Sequence, residues 1–562
     1  MIEQRKSRSA VTLALWFLPG LFLAVFFLYP LVVVFRAALS GGFEGAEALS
    51  RVWRPLGFTV WQATLSTVLT MLVGLPAAYV FARYRFPGRA LLRALTTLPF
   101  ILPTVVTAAA FNAMIGPRGW VNLLLMGLLN RTEPPINLLN SLAIILLAHV
   151  FYNTAVVIRV VGSAWAQLDT RIEHAGRILG ASPLRNLWEV TLPLLRPSIL
   201  AAGLLVFLFD FTSFGVILLL GGPRFATLEV EIYIQAMHML NLPLAALLSA
   251  LQMAVTLILI TVYFKLSGGQ PAAFIPHIRN ESVRPLRSWR ERLLVGSLLI
   301  FLTVLLVAPL AALGLRSVTR FEANRTEIGA YESGFTLAYY REIFVNRRQS
   351  LFYVPPALAV RNSIVYGLGA AGLSLSLGML LAYAIERSGS SARWVEPLVM
   401  LPLGTSAVTL GLGYILVFGR PPFGPQVFPL LTPIVHSLVA LPVVVRSIQP
   451  AIRSVPQALR QAAAVMGAPP WRVWLEVDLP IVARAAVTGG ILAFTISLGE
   501  FGATTFLTRP EYPTLPVAIY RYISQPGALN YGQALAMATM LLVVCGVSIL
   551  ALDKLQESNG KL

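Results

Sequence analysis

Glu173-His-Ala-Gly-Arg-Ile-Leu-Gly180-Ala-Ser-Pro-Leu-Arg-Asn-Leu-Trp-Glu-Val-Thr-Leu-Pro193 and, 287 residues later, Arg460-Gln-Ala-Ala-Ala-Val-Met-Gly467-Ala-Pro-Pro-Trp-Arg-Val-Trp-Leu-Glu-Val-Asp-Leu-Pro480 are two versions of one segment. Each is a short helix-like stretch closed by a glycine, with the proline of a Leu-Pro pair thirteen residues beyond it. The same offset lays His149 on His436, Arg159 on Arg446, Phe214-Gly215 on Phe501-Gly502, and Thr227-Leu228 on Thr514-Leu515, without a gap over more than eighty residues. An offset near 304 adds Ala78-Tyr79 over Ala382-Tyr383. The chain is a duplication, with a first half at 1–266, a hydrophilic linker at 267–292 and a second half at 293–562.

Composition says where such a chain folds. Of its 562 residues 57% are hydrophobic and 12% charged, and the mean hydropathy is +0.75, which excludes a soluble enzyme of ordinary composition. A membrane helix needs about 20 mostly apolar residues. Twelve stretches qualify: 11–35, 58–82, 94–115, 140–163, 198–220 and 244–266, then 293–314, 359–385, 395–418, 431–450, 485–507 and 528–552. The expected fold is all-α and membrane-integral, with about 12 transmembrane helices in two six-helix repeats. An even number of spans per half makes the repeats parallel, related by an axis along the membrane normal. The net charge of +19 is loop charge on a membrane protein, so no nucleic-acid partner is expected. Arginines at 83, 85, 89 and 93, at 171, 177, 185 and 196, and from 279 to 292 fall in alternate loops. The positive-inside rule then puts both termini in the cytoplasm. The single cysteine, Cys545, has no partner for a disulfide or a Cys-rich metal site, and no metal site is expected.

The paired segments resemble the EAA loop of permease subunits of binding-protein-dependent ABC importers, and the resemblance extends over nearly the whole chain. It implies a type I importer permease fold, with each loop forming a coupling helix in a groove of a cytoplasmic ATPase. The coupling residues it implies are Glu173, His174, Ala175, Gly176, Gly180, Leu192 and Pro193 in the first loop. In the second they are Gln461, Ala462, Ala463, Gly467, Leu479 and Pro480. His174 and Gln461 stand where the family pattern has glutamate, with Glu173 one residue early, which leaves small-residue docking intact but removes an ion pair. Glycine ends each helix and the proline redirects the chain into the fifth span.

The phosphate-cradling pattern Gly-x-x-x-x-Gly-Lys-Ser/Thr is absent, and the lysines are only Lys6, Lys265, Lys554 and Lys561. The chain is expected to be no enzyme and to bind no cofactor of its own. ATP and Mg would be held by two separate cytoplasmic ABC ATPase subunits, and a periplasmic or lipid-anchored solute-binding protein would deliver the cargo. The alternative class is an ion-coupled secondary transporter, which would need a chain of intramembrane ionisable groups. The clearest are Asp210 in span five and Glu500 in span eleven. The 287 offset sets Asp210 against Ser497 and Ser213 against Glu500, so each half carries a Ser/acid pair at i, i+3 in opposite order. These four residues are candidate pathway groups for a cationic solute, with burial between helices as the competing role. Fused permeases of this size resemble the thiamine and ferric-iron branch, with thiamine leading and ferric iron as the alternative. The outer segment 319–353 is a candidate surface for the binding protein.

Overall fold

The computed structural model describes residues 15–40, 46–131, 133–266, 283–323, 331–345, 356–388 and 392–559. The linker residues 267–282 and, within the outer segment 319–353, residues 324–330 and 346–353, Phe352 and Tyr353 among them, lie outside this set. Among the described residues, ten helices are long and apolar enough to cross a membrane, and one bent pair makes an eleventh.

The remaining differences from the expected twelve fall on the third span of each half. The stretch 94–115 is two helices, Arg89–Ile101 and Thr104–Ile115, separated at Leu102 and Pro103. The stretch 395–418 breaks between Glu396–Gly404 and Ala407–Phe418, which meet at 96°. Pro103 cannot donate a helical hydrogen bond and disfavours helix at the residue before it, so Leu102 is extended at φ −64°, ψ 136°. In the second half Ser406 is extended and its hydroxyl accepts from the N–H groups of Val408 and Thr409, restarting the helix. Broken helices in a membrane protein are tolerated where protein buries the freed backbone.

The chain forms two compact units that do not follow the repeat boundary. One comprises Phe43–Glu231 and Ala254–Thr336, so it holds most of the first repeat together with the opening span of the second, Trp289–Ser317. Within it, Ala46–Arg83 lies along Leu142–Gln167, and Trp289–Ser317 packs on Thr104–Ile115. Gly74 makes the first contact possible, because a methyl group there would stand 2.6 Å from Val157 Cβ. That opening span begins with a capping box, Ser288 with Glu291, preceded by a short parallel pairing of Tyr84–Arg85 with Arg284–Pro285. The Arg284 guanidinium lies 4.9 Å over the Tyr84 ring and donates to the Tyr84 hydroxyl and to Glu291 Oε1, each at 2.9 Å. Burial, with Tyr79 alongside, pushes the Tyr84 phenol up to about 12, so it stays protonated as an acceptor for arginine. An antiparallel hairpin, Thr319–Ala323 with Tyr331–Phe335, follows the span.

The other unit comprises Met1–Gly42, Ile232–Met253 and Leu337–Leu562. Its core is Pro356–Arg387 against Phe428–Ser454 and Leu479–Gly499, and here Gly378 meets Val444 as Gly74 meets Val157. The chain's opening span, Leu15–Leu39, belongs to this unit and packs on Ala407–Phe418. The Tyr414 hydroxyl donates to the Phe26 carbonyl at 2.9 Å, and Gly413 sits against Pro30. Each unit therefore combines later spans of one repeat with the opening span of the other.

Candidate functional site: paired loops and broken fifth spans

The two loop segments fold alike, residue for residue. The helix Thr170–Ile178 ends at Gly180, φ 86°, and Gln457–Val465 ends at Gly467, φ 83°. In both, the residue after the glycine donates back five residues, Ala181 to Gly176 and Ala468 to Ala463, and the glycine donates back three, which is a Schellman closure. A left-handed residue is required there, and glycine occupies it without a Cβ penalty. A single turn follows, then a π-helical turn at Leu187–Thr191 and at Trp474–Asp478. The Leu192-Pro193 and Leu479-Pro480 pairs follow on backbone that is already helical at Thr191 and Asp478, so each fifth span continues directly from its π-helical turn.

The small residues divide into two uses. Ala175 and Ala462 are exposed, as are His174 and Gln461. Gly176 faces inward, where a Cβ would collide with the Asn186 side-chain oxygen, and its counterpart Ala463 is buried. The Glu173 side chain lies outside the described set. On the open face are large apolar groups: Ile178 and Leu179 are 86% and 88% exposed, Val465 and Met466 88% and 81%, with Trp188 and Trp471 beyond them.

The four candidate pathway residues are brought together with a histidine in each unit, a partnership that the sequence reading left unassigned. In the first, His149 Nδ1 lies 3.2 Å from Asp210 Oδ1 and its Nε2 3.0 Å from Ser213 Oγ. Asn153 Nδ2 donates to the same Asp210 oxygen at 2.7 Å, and Ser66 Oγ lies 2.9 Å from His149 Nδ1. In the second, His436 Nδ1 lies 2.6 Å from Ser497 Oγ and Nε2 3.2 Å from Glu500 Oε2. Positions related by the 287 offset therefore face the same ring nitrogens, with acid and hydroxyl exchanged. All six residues are buried.

These clusters sit where span five breaks. Leu192–Phe211 stops before Gly215–Leu220, and Leu479–Gly499 stops before Gly502–Leu507. A break frees the N–H groups of the following turn. Glu500 satisfies two of them, accepting from Ala503 N at 2.8 Å and Thr504 N at 3.0 Å, and it also accepts from the Thr504 hydroxyl. Asp210 is used differently: Gln62 Nε2 donates to its backbone carbonyl at 2.8 Å, and the Tyr152 hydroxyl lies beside its carboxyl group, which makes no bond to the N–H groups of the following turn. The signal for the histidines was in the sequence, since the offset that set acid against serine also set His149 on His436.

The family model of the "Binding-protein-dependent transport system inner membrane component" matches residues 70–268 and again 374–559. The chain belongs to this family. The matches cover one copy per repeat, which shows a fused two-half permease and sets aside the ion-coupled alternative. The all-α, multi-pass architecture is that of a type I importer permease, and the family is one of transporters rather than enzymes. A Sinorhizobium fredii protein named "Probable ABC transporter permease protein y4fN" is 28% identical, over 88% of this chain and 87% of its own. The Brucella abortus "Thiamine transport system permease protein ThiP" is 27% identical over 92% and 91%. The Salmonella typhimurium protein named "Putative 2-aminoethylphosphonate transport system permease protein PhnU" is 30% identical over 44% of this chain and 90% of its own.

Proposed function

We propose that this permease moves thiamine inward, driven by two separate cytoplasmic ATPase subunits seated on the two loop helices. The observation that carries the seating is the duplicated exposure of large apolar side chains, Ile178, Leu179 and Trp188 in one loop and Val465, Met466 and Trp471 in the other, on helices closed identically. Contiguous exposed apolar groups mark contact surfaces. ATP and Mg would be held by those subunits, and a solute-binding protein would dock on the opposite face, near the hairpin Thr319–Ala323 with Tyr331–Phe335. Both loops and both termini then lie in the cytoplasm, in keeping with the arginine distribution.

Thiamine leads because relatives named for its transport align over nine-tenths of both chains. Its thiazolium is cationic, and the Asp210 carboxyl, held by side chains alone, Asn153, His149 and Tyr152, is able to meet a cation when the helices part. Glu500, with both oxygens engaged by the following turn, serves as its lock, and Ser213 and Ser497 orient the histidines. The cycle is alternating access: nucleotide closure moves the loop helices and the repeats rock about their shared pathway. The 2-aminoethylphosphonate relative favours a second solute, and ferric iron is the third on motif resemblance. Proteoliposomes holding permease, ATPase and binding protein, supplied with each of the three in turn, test the reading. ATP-dependent thiamine accumulation is the expected result; accumulation of either other solute and not thiamine would overturn the assignment, and uptake without ATPase would overturn the mechanism.

A further inference from the structure

The second repeat contains an open cleft of about 700 Å³ among the ends of Pro356–Arg387 and Phe428–Ser454, the loop helix Gln457–Val465 and the π-helical turn Trp474–Asp478. Each carboxylate on its wall is paired with an arginine. Glu386 Oε1 accepts from Arg453 Nε at 2.6 Å and Gln449 Nε2 at 3.1 Å, and Asp478 Oδ1 accepts from Arg460 Nε at 2.7 Å. What is left is a set of donors. Tyr383 is 8% exposed and its hydroxyl has no hydrogen-bond partner, although the Trp474 indole lies beside it. Arg387 makes no ion pair among the described residues. The loop helix begins at Pro456, which offers no side-chain cap, so that among its first N–H groups Leu459 turns back to the Pro456 carbonyl while Gln457 and Ala458 have no cap.

The first repeat shows what should stand there. Asp169, the counterpart of Pro456, caps its helix by accepting from Arg171 N at 2.8 Å, from nearly the same backbone geometry: φ −64°, ψ 116° against φ −62°, ψ 130°. Trp165, the counterpart of Ile452, is buried with its ring 5.1 Å from that of Tyr79, the counterpart of Tyr383. One repeat thus caps its loop helix with its own carboxylate and packs an indole from its fourth span on the tyrosine, whereas the other has Pro456 and Ile452 at these positions, with the uncapped helix, Tyr383 and Arg387 around the cleft.

We infer that the cleft is a binding site for a phosphate group, which takes the place that the Asp169 carboxylate holds in the first repeat. A helix N-terminus, a guanidinium and a phenol hydroxyl together supply the positive end and convergent donors that phosphate oxygens require. Because the site touches the second loop helix, its occupancy fixes the pose of that helix and so tunes coupling. Two sources share this chemistry, an anionic lipid headgroup and a soluble phosphate compound.

The test uses the full chain in nanodiscs of zwitterionic lipid, titrated with pyrophosphate by calorimetry, for the protein itself and for Arg387→Gln, Tyr383→Phe and Pro456→Asp. Loss of the charged donor is expected to weaken binding about tenfold or more. Pro456→Asp supplies an internal cap, so it should weaken binding similarly while raising the unfolding temperature, which separates displacement from misfolding. Repeating the titration in phosphatidylglycerol nanodiscs identifies the source: binding suppressed there assigns the site to lipid headgroups, and binding unchanged there assigns it to soluble phosphates. No pyrophosphate binding in zwitterionic nanodiscs, or binding indifferent to both Arg387→Gln and Pro456→Asp, would overturn the site. None of these readouts involves transport, so they stand apart from the thiamine assignment.

Discussion

Replacing each buried carboxylate by its amide should have unequal effects, although both residues pair with a histidine at 3.2 Å. In Glu500→Gln only one oxygen remains. Glu500 now accepts from Ala503 N on Oε1 and from Thr504 N on Oε2, so the new amide NH₂ must face one of these N–H groups. The change removes a charge-assisted bond of about 1.5–3 kcal/mol and leaves a buried N–H unpaired at about 1–3 kcal/mol more, for a loss of roughly 2.5–6 kcal/mol. In Asp210→Asn the retained oxygen keeps the Asn153 and His149 contacts, and the NH₂ faces no backbone N–H and has the Tyr152 hydroxyl beside it as an acceptor, so the cost is about 1 kcal/mol. Urea unfolding of the full chain in mixed micelles, followed by tryptophan fluorescence, measures both. If Asp210→Asn cost as much as Glu500→Gln, the view of Glu500 as the lock on the broken helix would be wrong.

Gly176→Ala should destabilise the first loop by about 1–3 kcal/mol through collision with Asn186, and adding Asn186→Val should recover most of it, because Ala463 and Val473 already coexist at these positions in the second loop; thermal melts of the single and double variants check this. Gly180→Ala and Gly467→Ala should each cost about 1–2 kcal/mol, since both sit at positive φ, and equal stability to the parent would refute the closure. Leu179→Ser and Met466→Ser, at side chains that are almost wholly exposed, should change folding stability by less than about 0.5 kcal/mol while reducing capture of the ATPase in a pull-down. Undiminished capture by the double variant would remove these faces from the docking surface.

The paired loops were legible because their signals are local. Glycine at a left-handed closure and proline just after a π-helical turn act through their own backbones, so the sequence carries them unaided. The third spans were not legible as broken, because a hydropathy window weighs side chains, whereas the breaks come from backbone constraint at Pro103 and from the Ser406 cap. The opening spans Leu15–Leu39 and Trp289–Ser317 exchange units for a reason that composition cannot express: an apolar helix states that it will be buried in membrane and protein, but not against which neighbour. The inward turn of Gly176 was hidden likewise, since its need for smallness arises from Asn186, ten residues away around the closure.

The exchange of acid and hydroxyl about the two histidines bears on how the repeats share work. Each repeat retains one carboxylate, one serine and one histidine at its break, so the chemistry of the cluster is kept while the position of the charge moves by three residues, close to one helical turn. At the later position the carboxylate reaches the N–H groups of the next helix and fastens it, as Glu500 does. At the earlier position it lies within the preceding helix, is held by side chains, Asn153 on one oxygen with the Tyr152 hydroxyl beside it, and fastens nothing in the next helix, as Asp210 does. The same three residue types therefore make a fastened break in one repeat and an unfastened break in the other. Moving the charge back should convert one into the other: Asp210→Ser with Ser213→Glu should stabilise the Gly215–Leu220 turn and abolish cation transport together, whereas a gain in stability with transport retained would place the pathway elsewhere.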